Sequence, residues 1–457
     1  MQLKVVKFGG SSLANGPEFQ KVIDIIKADP GRRFIVTSAP GKRHDGDIKV
    51  TDLLIKYANQ TIKNQDTYQV LNEIIGRYQA IADYFKLPPH ALDKIKSILT
   101  DLPSHDYSDN AHLMAAFKAH GERMNARLMT LVLNHLGIKA KFIDPSVSGI
   151  VVTGKNPNDA FVKEVTYQNM KKLLPLKKQP IRLVFPGFFG FTSDGQIATF
   201  ARGGSDITGS IVARGLHVHM YENFTDVDAI YTANPKIINN PVPIRKMTYR
   251  EMRELSYAGF SVFNDEAIIP AIQGDVTINI KNTNNPKAPG TFIMPRHNFN
   301  EPDNLITGIA GKKNFMALYI HKYLLNAQVG FTLRLLKILV KYNVSYEHMP
   351  SGIDDLTIII NKDQLNQHKL TAIKHDVQEV LHPDDVEWID DYAIIMVVGE
   401  GMIGKVGTLS RIIEPLAHKN IPIKMINKGA SQISMMIGTR AEDADEAIRR
   451  IYNEFLE

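Results

Sequence analysis

No cysteine occurs among the 457 residues of the chain. Its absence excludes disulfides, thiolate metal sites and cysteine nucleophiles, and suits a reducing compartment. No apolar run approaches the roughly 20 residues that a membrane span needs. The N-terminus enters a strand-like run without the charged, apolar and small-residue regions of a secretory leader. The expectation is a cytoplasmic protein with no membrane partner. Charge of one sign is also scarce: 54 Lys and Arg against 48 Asp and Glu leave +6, spread along the chain. That balance makes nucleic acid an unexpected partner and leaves small anionic ligands compatible. The 15 histidines are scattered without metal-ligand spacing, so no metal site built from protein side chains is expected.

What is present is globular. A hydrophobic fraction of 44% and a charged fraction of 22% are near average, and the length predicts two or three domains. In the first half, β-branched runs such as "LKVVKF", "RFIVTSAP", "AKFIDP" and "IRLVFPGFFGF" alternate with helical patterns, which predicts an α/β domain on a largely parallel sheet. The Asn-, Pro- and Gly-rich stretch 283–304 reads as the first domain boundary. Beyond it lies an internal repeat with an offset of 77 residues, pairing Gly330 with Gly407, Arg334 with Arg411, Asn343 with Asn420 and Gly352 with Gly429. Each copy reads glycine, helix, strand, glycine turn, strand, with the Asn as a stop signal. Two small α+β modules are expected, with the short strand near Ile306 pairing with the second.

Four stretches of the first half carry chemistry. In "KFGGSS", Gly9 to Ser12 follow a strand and precede a helix whose apolar face is Phe19, Val22, Ile23 and Ile26, with Pro17 in its first turn. Such a turn points backbone N–H groups outward, and Lys7 adds a cation, so it suits phosphate oxygens. A flexible turn with a solvated lysine is the plainer reading; a strand-end lysine contributes little to a core, so Lys7 is expected to be dispensable for folding in either case. In "ARGGSD", Arg202 can grip a carboxylate through two parallel bonds, or else Ser205 or Asp206 simply caps a helix bearing Ile207, Ile211 and Val212. In "MAAFKAHGERMNARLM", the stripe of Leu113, Phe117, Met124, Leu128 and Leu131 is interrupted by Gly121 and Glu122. A mid-helix glycine costs about 1 kcal/mol, so something approaches closely there, and Glu122 either meets an ammonium group or pairs with Arg123 or Lys118. In "YENFTDVDAIYTANPK", Asp226 and Asp228 suggest a metal site or acid-base chemistry, with Asx-turn capping the commoner role of such residues.

Taken in order, "VVKFGGSS", "GERM", "FPGFFG", "RGGSD", "FTDVDAIYTANPK" and the two terminal repeats resemble the aspartate kinases of the amino acid kinase family over nearly the whole chain. The repeats resemble ACT domains, ligand-binding modules that pair and take an amino acid at their interface. The resemblance implies an amino acid kinase domain over residues 1–298 and two ferredoxin-like ACT modules over 315–390 and 391–457, the second completed by strand 304–314. It implies transfer of the ATP γ-phosphoryl group, with Mg²⁺ on the phosphates, to the side chain of L-aspartate. Lys7, Gly9, Gly10 and Ser11 match the phosphate cradle, and Thr225, Asp226, Tyr231 and Lys236 the rest of the nucleotide side. Ser38, Thr51, Glu122, Arg202, Gly203 and Ser205 match the substrate side, with Asp206 orienting charge. Gln328, Glu347 and Ser351 match effector contacts, with lysine or threonine as effector, and a homodimer through the ACT modules is implied. In "GFSVFND", Ser261 stands where many members carry a nucleotide-contacting lysine. Two other readings stay open: a kinase for a different acid such as glutamate, and an amino-acid sensor without turnover.

Overall fold

A computed structural model of the chain describes residues 2–201, 203–260, 263, 265–300, 302 and 304–456, the side chains of Asp265 and Glu266 excepted. The chain divides into two compact units. The first holds residues 1–230, 243–252 and 261–300, the second 231–242, 253–260 and 301–457. The expected break at 283–304 contains the second unit's main entry at residue 301. The same stretch also carries a strand of the first unit, Thr291–Met294, and two earlier excursions of the chain belong to the second unit. Composition cannot show such excursions, because they are short and rich in ordinary residues.

Strands β1 (Lys4–Phe8), β2 (Arg32–Thr37), β3 (Ala140–Phe142) and β4 (Arg182–Pro186) are followed by a hairpin of β5 (Phe189–Phe191) and β6 (Ile197–Thr199). Then come β7 (Met220–Thr225), β8 (Ile230–Tyr231), β9 (Pro243–Ile244), β10 (Lys246–Thr248), β11 (Thr277–Asn282) and β12 (Thr291–Met294). Eight of these form one sheet in the order β10-β12-β11-β7-β1-β2-β4-β3, parallel at every pairing except β11 with β12. The α/β expectation therefore holds. Helices cover the sheet, so Val5, Val6 and Phe8 of β1 are all buried, as strands covered on both faces require.

Chain order fixes where a ligand belongs. From β1 the chain moves to β2 and on toward β4, whereas β7 is laid down on the opposite side of β1. The order reverses at β1, and in open α/β sheets the crevice beyond the carboxyl ends of the strands at such a point takes the ligand. Helix Gly16–Ala28 follows β1. Asn15 caps it by accepting the Glu18 N–H at 3.0 Å, Pro17 sits in the first turn, and Phe19, Val22, Ile23 and Ile26 are fully buried.

In the second unit, β13 (Gly308–His321), β14 (Asp355–Asn361), β15 (Asp385–Val398), β16 (Met425–Asn427) and β17 (Ser434–Thr439) make one antiparallel sheet in the order β14-β13-β15-β17-β16. Two hydrophobic cores lie on it. One gathers Leu318, Leu335, Ile358, Ile373 and Val377, the other Ile395, Val397, Ile412, Ile437 and Ile448. Two α+β modules are present, as expected, but they share a sheet because β13 and β15 each run through both. Residues Gly308–Lys312 pair with Ile394–Val398, and Phe315–His321 with Asp385–Tyr392, across a register shift between Lys312 and Ala317.

The repeat has a conformational cause. Gly330 and Gly407 both cap helices in the left-handed region, at φ 78° and 80°. Asn343 and Asn420 adopt it as well, at φ 52° and 53°, where Asn is the side chain best tolerated after Gly. The hydrogen bonds keep the same offset: Val344 N to Leu339 O in one copy, Ile421 N to Leu416 O in the other.

Candidate functional site

Four of the quoted stretches lie together at the carboxyl ends of interior strands of the sheet. "KFGG" follows β1, "TSAP" follows β2, "PGFF" follows β4 and "FTDVD" ends β7, with Ser38 N bonded to Phe8 O at 3.2 Å, Gly187 N to Thr37 O at 3.0 Å and Gly9 N to Phe224 O at 3.2 Å. Beyond β1 the backbone does not pass straight into the long helix. A short 3-10 turn, Ser11–Leu13, intervenes, with Ser12 N and Leu13 N donating to Gly9 O and Gly10 O. The Gly10 and Ser11 amides make no backbone hydrogen bond outside regular elements among the described residues, as a turn that receives an anion requires.

A recess of about 230 Å³ opens beside this turn, lined by Ser11, Asn15, Lys42, Arg43, Thr225 and Asp226 among others. Thr225 Oγ1 donates to Asp226 Oδ1 at 3.0 Å. Lys42, Arg43 and Asn15 were not expected. The "GKR" after β2 could have pointed to the first two, because β2 is the neighbour of β1. Asp228 accepts from Asn282 Nδ2 at 2.7 Å and from Asn285 Nδ2 at 3.3 Å.

Lys7 is not a solvated strand end. It is 8% exposed, and its Nζ lies 2.6 Å from Asp206 Oδ1, which also accepts from Asn223 Nδ2 at 3.0 Å. Asp206 lies in the first turn of helix Gly204–Gly215, whose cap is Gly203 in the left-handed region with no side-chain cap bond. Neither Ser205 nor Asp206 caps the helix. Ser205 is buried against Gly187, where a β-carbon would fall 2.5 Å from its Oγ. Ile207, Ile211 and Val212 are buried as their spacing predicts. Arg202, expected to grip the substrate carboxylate, and Ser261 lie outside the described residues.

Glu122 sits in the middle of helix Asn110–His135. It is 6% exposed, its carboxylate accepts a backbone bond from Ala39, and among the described residues its Oε2 has no hydrogen-bond partner. Burial pushes its pKa up to about 8, against the smaller pull of the Ala39 bond and of Lys118 and Lys7. The exposed, ion-paired alternative is thus wrong, and Arg123 instead bonds Asp144 at 2.7 Å. Gly121 is explained by packing: a β-carbon there would lie 2.8 Å from Ala39 Cβ and 3.2 Å from Leu54 Cδ1. Thr51 Oγ1 would lie 3.9 Å from the same point, and Asn125 Nδ2 donates to Ser38 O at 2.7 Å. The first unit thus brings Ser38, Thr51 and Glu122 around Ala39, and Lys7 and Asp206 to the end of β1.

The remaining predicted residues belong to the second unit. Tyr231 is half-buried and Lys236 exposed, with the Lys236 N–H bonded to Asn234 Oδ1 at 2.9 Å. Glu347 and Ser351 follow the edge of β14, bridged at His348 to Ile359 and at Ser351 to Leu356. Gln328 Oε1 accepts from Arg334 at 3.3 Å, while the Glu347 carboxylate accepts from the Tyr257 hydroxyl. No bond joins Gln328, Glu347 and Ser351 to one another among the described contacts.

Comparison with known proteins agrees with this arrangement. Residues 2–282 match the amino acid kinase family and residues 395–455 an ACT domain. Aspartokinase 3 of Bacillus subtilis (strain 168) is 44% identical over 454 residues, covering 99% of this chain and 98% of the relative. The crystal structure of Clostridium acetobutylicum aspartate kinase is 36% identical and superposes over 100% of both chains with a TM-score of 0.88. Escherichia coli aspartokinase III in complex with aspartate and ADP, at 22% identity, shares the fold over 100% of both chains with a TM-score of 0.77. With a parallel sheet whose order reverses at a glycine-lysine turn, a repeat-built second unit and close relatives along its whole length, the chain belongs to the aspartokinases, phosphotransferases of the amino acid kinase family.

Proposed function

We propose that the enzyme transfers the γ-phosphoryl group of ATP to the β-carboxylate of L-aspartate, giving 4-phospho-L-aspartate and ADP, the first step towards lysine, threonine and methionine in the cytoplasm. The observation that carries this reading is the pairing of a cation-bearing glycine turn at the end of β1 with a buried, half-satisfied carboxylate, Glu122. The first suits phosphates and the second an ammonium group.

In the transfer a carboxylate oxygen attacks the γ-phosphorus and the bond to the bridging oxygen of ADP breaks. An aspartate side chain, with an ordinary pKa near 3.9, is already anionic at neutral pH, so no general base is needed. Two anions must be brought together, and positioning with cationic screening dominates. Gly9, Gly10 and Ser11 cradle phosphate oxygens, and Lys7 leaves Asp206 to meet the transferring group. Thr225 and Asp226 complete the nucleotide side in the first unit, and the family resemblance gives Tyr231 and Lys236 nucleotide contacts as well. Ser38, Thr51, Gly203 and Ser205 line the aspartate side, with Glu122 on its ammonium and Arg202 on its α-carboxylate. Among the described residues no group of three or more His, Asp or Glu could hold a metal. Asp226, bonded to Thr225 in the recess, fits a Mg²⁺ ion delivered on the phosphates, which would screen their charge.

Residues 1–298 form the kinase in this reading, and 315–390 and 391–457, with 304–314, the ACT pair. An end-product amino acid, lysine first and threonine second, acts there through Gln328, Glu347 and Ser351. E. coli aspartokinase III in complex with lysine and aspartate supports that choice. A homodimer through the ACT modules is supported by fully exposed Val329 and Val406, equivalent positions of the two copies, and by exposed Leu333 and Leu409. Measuring ADP release with L-aspartate and with L-glutamate, each with and without lysine, tests the whole. Turnover specific to aspartate and suppressed by lysine is expected; turnover with glutamate alone, or none, overturns it.

A further inference from the structure

The loop between β2 and helix Val50–Ile62 lies against the glycine turn and is held from beneath by one buried side chain. Gly41 N donates to Gly10 O at 2.8 Å. A β-carbon on Gly41 would fall 2.6 Å from the Gly10 carbonyl carbon and 2.8 Å from Ser11 N, so only glycine lets the loop rest on the turn. Arg77, from helix Tyr68–Tyr84, is 3% exposed. Its Nη2 donates to Gly41 O at 2.5 Å and its Nη1 to Ile48 O at 3.0 Å. The same Nη1 lies 2.9 Å from Asp47, and Asp47 in turn accepts the Arg43 N–H at 2.8 Å and its guanidinium at 2.9 Å.

This clamp sorts the two cations that line the recess. Arg43 is committed to Asp47 through two side-chain bonds. Lys42, next to Gly41 and exposed, makes no ion pair or side-chain hydrogen bond among the described contacts, yet lines the recess together with Ser11, Thr225 and Asp226. Lys7, by contrast, already has Asp206. Among the described residues, the free cation at the recess is therefore Lys42, carried on a segment whose carbonyls at both ends are tied to one guanidinium.

We infer that Lys42 is a further catalytic residue, a cation that contacts the nucleotide phosphates, and that Arg77 is its positioning residue, acting through Gly41 and Asp47. The inference rests on the reading of the β1 turn as the nucleotide site. A lysine presented by a fixed loop loses less freedom on binding than one on a mobile loop, so its charge goes into phosphate contact. Because Lys42 lines the recess with Ser11, Thr225 and Asp226, it serves nucleotide binding more than the aspartate side.

Steady-state kinetics with Mg-ATP and L-aspartate, joined to calorimetric titration of Mg-ADP, test both roles. Lys42→Ala should raise the KM for ATP about tenfold, as loss of one charge-assisted phosphate contact does, while the KM for aspartate stays within about twofold and Lys42→Arg restores most of the loss. Arg77→Gln should reproduce the ATP defect, and the double variant should bind ADP no more weakly than the worse single one, since Arg77 acts through Lys42. A purely structural Arg77 would lower thermal stability and add its defect to that of Lys42→Ala, which overturns its positioning role. Gly10→Ala separates the two levels of the argument, because its β-carbon would lie 2.9 Å from Ala39 O and distort the turn. If Gly10→Ala loses nucleotide and Lys42→Ala does not, the Lys42 role is overturned and the site stands. If neither variant weakens ADP binding, the site reading fails with it.

Discussion

Two buried charges in the catalytic unit are handled in opposite ways. Lys7 is neutralised by an internal partner, Asp206, at 2.6 Å. Glu122, equally buried, has a backbone bond to one oxygen and, among the described residues, nothing for the other, and is kept neutral by holding a proton to a pKa of about 8. The paired charge can be handed over when a phosphate arrives, because Asp206 retains Asn223 as a partner. The protonated one must lose its proton before it can serve an ammonium group. One site waits as an ion pair, the other as an acid.

The largest expected effect breaks the first half of that contrast. Lys7→Ala should lower kcat by about 10³-fold or more, since cationic stabilisation of a transferring phosphoryl group has no substitute in water. It should not be silent in the fold. Removing one partner of a buried pair strands the other, at a cost of about 3 kcal/mol, contrary to the expectation of a dispensable strand-end lysine. The double change Lys7→Met with Asp206→Asn should recover most of that stability in a denaturant titration while leaving kcat low. Equal stability of Lys7→Ala and the parent would mean that the ion pair contributes nothing.

The second half predicts a pH dependence of known sign. Below its pKa of about 8, Glu122 is protonated in the free enzyme, and binding an ammonium group must expel that proton. The cost is about 1.4 kcal/mol per pH unit below the pKa. Aspartate should therefore bind about tenfold more tightly at pH 9 than at pH 7, read as KM for aspartate at saturating ATP. In Glu122→Gln the affinity should be weak and flat with pH. Stability runs the other way: a carboxyl whose folded pKa exceeds its unfolded value loses stability as pH rises from about 4.5 to about 8, so Glu122→Gln should flatten that decline as well. A Gln variant that keeps the parent pH profile would remove Glu122 from the aspartate site.

Much of this was legible in the sequence, for identifiable reasons. The parallel sheet followed from β-branched runs alternating with helical stripes, and the two modules from Gly330, Gly407, Asn343 and Asn420, whose left-handed backbone only Gly and Asn meet cheaply. Lys7 and Thr225 stand out because motif and strand end coincide, and Glu122 because a glycine precedes it in the middle of a helix. What stayed hidden depended on contacts between distant segments. Arg77 reads as an ordinary helical arginine until the carbonyls of Gly41 and Ile48 converge on it. The burial of Lys7 depends on Asp206, far along the chain. The shared sheet of the two modules depends on the length of β13 and β15, whereas the sequence suggested a short strand near Ile306.

The smallest effect concerns a third carboxylate, and it sharpens the comparison in the other unit. Glu347, proposed to take the effector, is among the described residues neither ion-paired nor left open: the Tyr257 hydroxyl donates to it, and burial together with that bond raises the Tyr257 pKa. An incoming ammonium group must displace a neutral donor, which is easier than breaking an ion pair and needs no proton release. Tyr257→Phe removes the competitor. A hydrogen bond to a charged group contributes about 1.5 kcal/mol when protected and less where water can replace it, and this pair is partly exposed. The half-inhibitory lysine concentration should therefore fall by about two- to fivefold, with turnover in the absence of lysine unchanged. Glu347→Gln should move it the opposite way. If Tyr257→Phe and Glu347→Gln shift inhibition in the same direction, Tyr257 helps to bind the effector instead of guarding its place.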